Sequence, residues 1–415
     1  MKKLGFLFPG QGSQYVGMGQ SLYDEYSVAR ETFEEAEDAL GFDLKSLCFT
    51  GSMDELTQTA NAQPAILTVS IAAYRVLMQE LKLAPSLVAG HSLGEFSALV
   101  STGALAFSDA VKIVRQRGIL MQEAVAPGAG AMLAVVGSHE REVEEVCQQA
   151  SSGGVSVGIA NYNSSEQLVI SGHTPALEKA EEELNRRGIK TIRLKVGFPF
   201  HTNLMRSAAG KFRDELERYD YGRFQWPVLS NVTATPYTDR RYIISNLTSQ
   251  MAQPVQWYKS VQYMLNQGVN HFIEIGPKTV LRNLMTGITF TAQSFAFEHP
   301  SGLELLRNAD MEYKPDGLGL VTSCIAIAVS TQNRNWNNDE YEQGVVVPYK
   351  ELQNMREQLI ATGTEPTIEQ MQQALDKLKS IFETKLTPAE QRAERFEQIF
   401  SNTHTRELFP AFQVS

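Results

Sequence analysis

Five residues, Gly90-His91-Ser92-Leu93-Gly94, limit the possible folds of this chain more than any other stretch. They follow a short apolar run at 87–89 and precede a helical pattern of small residues at 95–100. The spacing Gly-x-Ser-x-Gly between a strand and a helix is typical of a nucleophile elbow, a turn so tight that both flanking positions must lack bulk. The sequence therefore predicts an α/β fold that presents Ser92 as a nucleophile. The alternative is a buried serine at the start of a helix.

The composition argues against several classes of function. The 415 residues carry a net charge of −10, which is unfavourable for binding nucleic acid or an anionic membrane. Cys48, Cys147 and Cys324 are far apart and form no Cys-x-x-Cys pair, so we expect neither a disulfide framework nor a metal site. No apolar run approaches the ~18 residues of a membrane span, and the first one is too short for a signal peptide. We expect a cytoplasmic protein.

A glycine-rich loop, 9–14, follows the first apolar run at 4–8. It lacks the third glycine of a dinucleotide fingerprint, since Tyr15 stands there, and it lacks the lysine of a phosphate-binding loop. A loop at the end of a strand can instead direct a backbone N–H at a reacting centre. Together with the N–H of Leu93 it would form an oxyanion hole. A plain turn is an equally good interpretation.

Arg117 lies on the apolar side of a predicted helix that begins at Asp109. An unpaired buried charge is very costly, so the guanidinium needs an anionic partner. That partner is either a carboxylate of the protein or the carboxylate of a substrate, which arginine can bind through two parallel hydrogen bonds. The spacing leaves both alternatives open.

The order of predicted elements divides the chain. Residues 131–196 give the order βαββαβ, which is that of a ferredoxin-like unit. Strands alternate with helices on both sides of it, as in a parallel α/β core. We therefore predict a hydrolase-like parallel-sheet core from 1–127 and 198–290, an inserted ferredoxin-like subdomain at 128–197, and an extension at 291–415 that starts as a loop and is then mostly helical.

His201 follows the inserted unit, after a proline and two aromatic residues. A lone histidine on a loop is more often structural than catalytic. A serine hydroxyl, however, needs a neighbouring base before it becomes a good nucleophile. Because the chain also contains an elbow, we interpret His201 as that base.

Taken together, several stretches resemble the malonyl-CoA:acyl carrier protein transacylases, including the discrete, trans-acting acyltransferases of polyketide synthases. The similarity covers about residues 1–290. The stretches that match, in the family's order, are Pro9–Gln14, Gly90–Glu95, Arg117-Gly118, Met121-Gln122, Phe200-His201, Asn231, Gln250, Pro254–Trp257 and Glu274–Pro277.

The resemblance implies roles for individual residues. Ser92 would be the nucleophile and His201 its base, with the backbone N–H groups of Gln11 and Leu93 as the oxyanion hole. Arg117 would hold the malonyl carboxylate. These roles imply an acyltransferase that needs no cofactor, because the chemistry is supplied by the two substrates, malonyl-CoA and the phosphopantetheine thiol of an acyl carrier protein.

The resemblance also implies a supporting group. Phe200, Met121 and Gln63 would line the substrate site, with Phe200 leaving no room for an α-methyl branch. Gln250 and Asn231 would support the catalytic pair, and a backbone carbonyl near Gln250, in place of an aspartate, would orient His201. A dyad is therefore expected.

The chain runs about a hundred residues beyond the point, near 310, where the family's fatty-acid-synthesis enzymes usually end. This extra segment favours a transferase that acts in trans for polyketide biosynthesis over a malonyl transacylase of fatty-acid synthesis. We expect a monomer. Two other functions remain alternatives. An acyl hydrolase that clears stalled carrier-protein thioesters would use Ser92 and His201 but has little use for Arg117. A non-catalytic docking protein would instead work through its C-terminal segment.

Overall fold

The structure is a computed structural model that describes residues 2–194, 196–309, 315–403, 405–410 and 412. The chain divides into two compact units, 1–312 and 313–415. The strands, all in the first unit, are β1 Leu4–Phe8, β2 Leu87–Gly90, β3 Gly130–Val136, β4 Val157–Tyr162, β5 Gln167–His173, β6 Lys190–Arg193, β7 His271–Ile275 and β8 Gln293–Phe297.

The helices of the first unit are α1 Gln20–Glu25, α2 Ser27–Leu40, α3 Leu44–Phe49, α4 Met53–Thr57, α5 Thr59–Glu80, α6 Gly94–Ser101, α7 Phe107–Glu123, α8 Glu140–Ala150, α9 Thr174–Arg186, α10 Arg206–Leu216, α11 Ile243–Ala252, α12 Trp257–Asn266, α13 Val280–Met285 and α14 Gly302–Asn308. Those of the second unit are α15 Gly317–Ser330, α16 Asn338–Tyr341, α17 Val347–Thr362, α18 Ile368–Thr384 and α19 Ala389–Thr403. None of the described helices is long and apolar enough to cross a membrane.

The larger sheet is parallel and has the strand order β2-β1-β7-β8 among the described residues. All five residues of β1 are buried, because a parallel sheet is covered by helices on both faces and its central strands are apolar throughout. The carboxyl ends of β1 and β2 lie side by side, with Phe8 paired to Gly90. The loop at 9–14 and the elbow therefore leave the same edge of the sheet.

The smaller sheet is antiparallel and has the order β4-β5-β3-β6. Its strands, with α8 and α9, follow the chain order βαββαβ, and this strand order is that of the ferredoxin-like fold. Apolar residues of both helices, such as Val143 and Leu177, pack on the sheet in a core of their own. The α/β fold with an inserted ferredoxin-like unit, predicted from the sequence, is confirmed.

The second unit is helical and has its own apolar core. Side chains from α15, α17, α18 and α19 meet in it, among them Leu320, Leu352, Leu375 and Phe400. The start of α18 is stabilised by a capping box, in which Thr367 accepts from the Gln370 N–H and the Gln370 side chain accepts from Thr367. A helical C-terminal extension was expected here.

The predicted start of that extension at residue 291 is wrong. Strand β8 pairs in parallel with β7, and Leu303 and Leu306 of α14 are buried in the main core, so the first unit continues to 312. The sequence of β8 shows no clear apolar alternation, in keeping with its position at the sheet edge, where Gln293 is exposed, the next three residues are partly buried and Phe297 alone is buried. Residues 310–314, around this boundary, lie outside the described part of the chain.

Candidate active site

The turn between β2 and α6 has the geometry of a nucleophile elbow. Ser92 has φ 51°, a left-handed conformation that is costly for a residue with a side chain. A Cβ on Gly90 would lie 1.9 Å from the carbonyl group of Gly94, and one on Gly94 would lie 2.0 Å from the oxygen of Phe8. Only glycine fits at either position, which is the steric reason for the Gly-x-Ser-x-Gly spacing.

Ser92 and His201 form a hydrogen-bonded pair across 109 residues of sequence. Ser92 Oγ lies 2.8 Å from His201 Nε2, and His201 Nδ1 lies 2.7 Å from the backbone oxygen of Gln250. A carbonyl oxygen only accepts, so Nδ1 has the proton and Nε2 is left free to accept from the serine hydroxyl. The geometry is that of a nucleophile beside a base.

His201 is buried and is itself held in the left-handed region, at φ 58°. Burial, with the nearby positive charge of Arg117 as a second cause, lowers the pKa of His201 to about 3. The imidazole is therefore neutral at physiological pH and able to take a proton.

Arg117, on α7, points into the same site. Its Nη1 donates to Gln63 Oε1 at 2.9 Å, and its Nη2 donates to Gln250 Oε1 at 2.9 Å and to Ser92 Oγ at 3.2 Å. Among the described residues no carboxylate lies within 4.0 Å of the guanidinium. Burial lowers the pKa of Arg117 to about 10, which leaves it charged at neutral pH.

Two backbone N–H groups near the nucleophile, those of Gln11 and Leu93, make no hydrogen bond to the described residues. Leu93 directly follows Ser92 at the elbow, and Gln11 belongs to the loop after β1. The Gln11 side chain donates to Thr59 Oγ1 at 3.2 Å and is held by that hydrogen bond. Both N–H groups are available to a negatively charged oxygen.

A cavity of about 240 Å³ connects these groups. One side belongs to the large sheet and its helices, and the other belongs to the small sheet, so the site lies where the inserted subdomain meets the core. The predicted site residues that line it are Gln11, Ser92, Arg117, Met121, Phe200 and His201, whereas Gln63, which was expected to line the site, does not. Phe200 is stacked on Phe198, with ring centroids 5.9 Å apart.

Two amide side chains form hydrogen bonds with the backbone of the elbow. Asn231 Oδ1 accepts from the Ser92 N–H at 2.6 Å, and its Nδ2 donates to the Gly90 carbonyl at 2.6 Å. Gln250 Nε2 donates to the Ser92 carbonyl at 2.9 Å. Gln63 is buried beside Arg117, with its Nε2 at 3.5 Å from Met121 Sδ.

Several polar contacts of this site were not predicted from the sequence. Glu95 is fully buried and accepts hydrogen bonds from Tyr237 and Gln250. The only sign in the sequence that Glu95 belongs to the site is its position next to the elbow. Asn163 lines the cavity, and its Oδ1 lies 2.9 Å from His91 Nε2. The position of Asn163 just after a strand that ends at the site could have indicated it.

Comparison with known proteins identifies the family. Residues 5–294 match the family model described as an acyl transferase domain. A malonyl CoA-acyl carrier protein transacylase from Bacillus subtilis is 40% identical over 398 residues, which is 94% of this chain and 98% of that protein. This chain belongs to the malonyl-CoA:acyl carrier protein transacylase family. Another transacylase of the family, from Escherichia coli K12, is 43% identical over 304 residues, 73% of this chain and 98% of the relative.

A solved structure shows that this transacylase also has the fold of the family. The malonyl-transacylase determined in complex with a type II polyketide synthase acyl carrier protein superposes with a TM-score of 0.72 at 39% identity, covering 74% of this chain and 100% of that one. The family resemblance predicted from the sequence motifs is confirmed, and the protein is an acyltransferase. The match to the Bacillus relative includes most of the helical C-terminal unit.

Proposed function

We propose that this transacylase moves a malonyl group from malonyl-CoA, through an ester on Ser92, to the phosphopantetheine thiol of an acyl carrier protein. One arrangement supports this most strongly. A nucleophile paired with a neutral base shares its cavity with a buried guanidinium whose hydrogen bonds, within the described part of the chain, go to neutral groups alone. A substrate with both a thioester and a carboxylate would satisfy both halves of the site.

In the first half-reaction, Ser92 Oγ attacks the thioester carbonyl while His201 Nε2 takes the hydroxyl proton. The negative charge that develops on the carbonyl oxygen is bound by the N–H groups of Gln11 and Leu93. Losing one such donor typically costs ~3 kcal/mol of transition-state stabilisation. The C–S bond then breaks, CoA leaves as a thiol with the proton from His201, and malonyl-Ser92 remains.

Arg117 selects the acid group. One of its N–H groups is directed at Ser92 Oγ, at 3.2 Å, and a substrate carboxylate is a far stronger acceptor than this hydroxyl. The substrate carboxylate would also place a negative charge in direct contact with the buried guanidinium, which no carboxylate of the described residues does. Phe200, on the wall of the same cavity, would exclude a branched acid such as methylmalonyl.

In the second half-reaction the carrier-protein thiol attacks malonyl-Ser92. His201 takes the thiol proton, the C–O bond of the ester breaks, and the serine recovers a proton from His201. The chemistry needs no cofactor, because every proton and electron pair is supplied by the side chains and the two substrates. An acyl carrier protein is bound by the related transacylase of known structure, which supports this choice of acceptor.

The setting we favour is a cytoplasmic transferase, active as a monomer, that loads carrier proteins of a polyketide synthase in trans. Residues 1–127 and 198–312 would form the catalytic core, and 128–197 would close over the site. The C-terminal unit, shared for the most part with the Bacillus relative but not with the relative from E. coli, distinguishes this chain from a shorter transacylase. Loading of fatty-acid carrier proteins is the alternative.

The test is incubation with malonyl-CoA and a carrier protein with or without its phosphopantetheine arm. We expect malonyl on the carrier only when the arm is present, with little free malonate. Rapid release of malonate and no malonyl carrier protein would identify an acyl hydrolase instead. Carrier proteins from polyketide and fatty-acid synthesis, compared at equal concentration, distinguish the two settings.

A further inference from the structure

Glu95 is a buried carboxylate in the first turn of α6, three residues after the nucleophile, and the proposed reaction gives it no part. Three donors hold it. Its Oε1 accepts from the Tyr237 hydroxyl at 2.5 Å, and its Oε2 accepts from Gln250 Nε2 at 2.7 Å and from the Asn231 N–H at 3.1 Å. The carboxylate is therefore fixed in both position and orientation.

Glu95 and the Ser92 carbonyl together determine which way the Gln250 carboxamide faces, since both accept from its Nε2, at 2.7 Å and 2.9 Å. A carboxylate can only accept hydrogen bonds and a guanidinium can only donate them. Gln250 lies between the two, so its Nε2 must face Glu95 and its Oε1 must face Arg117, where the Oε1–Nη2 distance is 2.9 Å. A reversed carboxamide would place N–H groups against the N–H groups of Arg117.

The same amide keeps two opposite charges apart. Arg117 and Glu95 are both fully buried, and a direct ion pair between them would occupy the guanidinium that a substrate needs. With one carboxamide between them, the ionised form of Glu95 offsets the positive charge of Arg117 while the hydrogen bonds of Arg117 go to neutral groups. Burial raises the pKa of Glu95 to about 7, so its ionised and protonated forms are both present near neutral pH. A substrate carboxylate can then make the direct contact.

We propose that Glu95 is a positioning residue for recognition of the acid group: through the Gln250 carboxamide it holds the Arg117 guanidinium in the direction that receives the malonyl carboxylate. This inference depends on the proposed malonyl transfer. The decisive property is the acceptor oxygen that faces Gln250, and the charge of Glu95 is secondary.

Three substitutions separate these properties. Glu95→Met replaces the side chain by one of similar size that has no acceptor oxygen. Glu95→Asp keeps the carboxylate but, being one methylene shorter, moves it away from Gln250. Glu95→Gln keeps an oxygen towards Gln250 and turns its N–H groups to Tyr237, whose hydroxyl can accept. Tyr237→Phe is the matched control, because it removes a hydrogen bond to Glu95 on the side away from Gln250.

The measurement is the ratio of kcat/KM for Ser92 acylation by malonyl-CoA to that by acetyl-CoA. We expect Glu95→Met and Glu95→Asp to lower this ratio by ~10-fold or more, which is the size of one charge-assisted hydrogen bond, because the malonyl rate falls much further than the acetyl rate. Glu95→Gln and Tyr237→Phe should keep the ratio within ~3-fold of the wild type.

The experiment distinguishes failure of the proposed function from failure of the inference about Glu95. If the wild type shows no preference for malonyl, the proposed function is wrong before any variant is compared. If the wild type prefers malonyl, and Glu95→Met and Glu95→Asp keep that ratio or lose both rates equally, Glu95 has a structural role only and the inference is overturned. Should Glu95→Met fail to fold, the comparison of Glu95→Asp with Glu95→Gln decides alone.

Discussion

The Nδ1 atom of His201 lies 2.7 Å from the backbone oxygen of Gln250, so a carbonyl orients the imidazole where many serine enzymes use a carboxylate. A carbonyl has no net charge and does not stabilise an imidazolium as strongly as a carboxylate does. The neutral ring is therefore favoured, in agreement with the direction of its pKa.

A pH titration tests that state of the ring. Burial, and next the charge of Arg117, lower the pKa of His201 from 6.5 to about 3, so we expect no protonation of its ring between pH 8 and about 5. The unfolded chain binds this proton below pH 6.5 and the folded chain does not. The group therefore stabilises the fold above pH 6.5, and that contribution is lost as the pH falls towards 3.

The readout is the Cε1–H resonance of His201 in the NMR spectrum, assigned by its absence in His201→Gln. A midpoint near 6.5 would contradict the buried, neutral ring.

Arg117→Ala should shift the preference of the enzyme from malonyl towards uncharged acyl groups. Each hydrogen bond to a charged group contributes about 1.5–3 kcal/mol, so the malonyl-to-acetyl ratio of kcat/KM should fall by ~10–100-fold or more. Arg115→Ala is the control, since Arg115 lies over the Phe42 ring and is hydrogen-bonded to Asn61. Unchanged malonyl preference in Arg117→Ala would remove Arg117 from the substrate site.

Phe200→Ser should admit methylmalonyl-CoA. The ring lies on the cavity wall beside His201, and its removal makes room for a methyl branch, which in such pockets is worth ~1–3 kcal/mol of discrimination. Phe198→Ser serves as the control, because Phe198 stacks on the outer side of Phe200 and does not line the cavity. The relative rates of Ser92 acylation by the two CoA thioesters give the result, and an equal change in both variants would contradict the role of Phe200.

Removal of residues 313–415 should leave malonyl loading of Ser92 intact. The residues of the site all belong to the first unit, and the second unit has a separate apolar core. Compact units with their own cores can usually fold alone. The measurement is the rate of malonylation of the shortened chain in single turnover, with circular dichroism as the folding control. A soluble, folded but inactive fragment would contradict the assignment of the activity to 1–312.

Spacing and periodicity predicted the local part of this site, whereas its long-range contacts came only from the family resemblance or from the structure. Ser92 and its two glycines are dictated by one turn, and a helix periodicity was enough to put Arg117 on an inward face. The contact of Gln250 Nε2 with the Ser92 carbonyl joins residues 158 apart, and no local pattern encodes it. The same holds for the hydrogen bond between Tyr237 and Glu95, 142 residues apart.

Two elements of the fold were not predicted because their local hydrophobic pattern is weak or uniform. Helix α15 is apolar on nearly every side, so it shows no amphipathic periodicity, and β8 at the sheet edge shows no clear alternation. The family resemblance added roles that spacing alone left open, including the choice between a protein and a substrate carboxylate as the partner of Arg117.

The most direct test of the central claim is to locate the acyl group by peptide mass spectrometry after brief exposure to malonyl-CoA without carrier protein. We expect one malonyl group, on the peptide that contains Ser92, and its complete loss in Ser92→Ala. Ser97→Ala, which removes a buried hydroxyl of α6 that has no hydrogen-bond partner among the described residues, should load like the wild type. Malonyl on another residue, or undiminished loading of Ser92→Ala, would contradict the account.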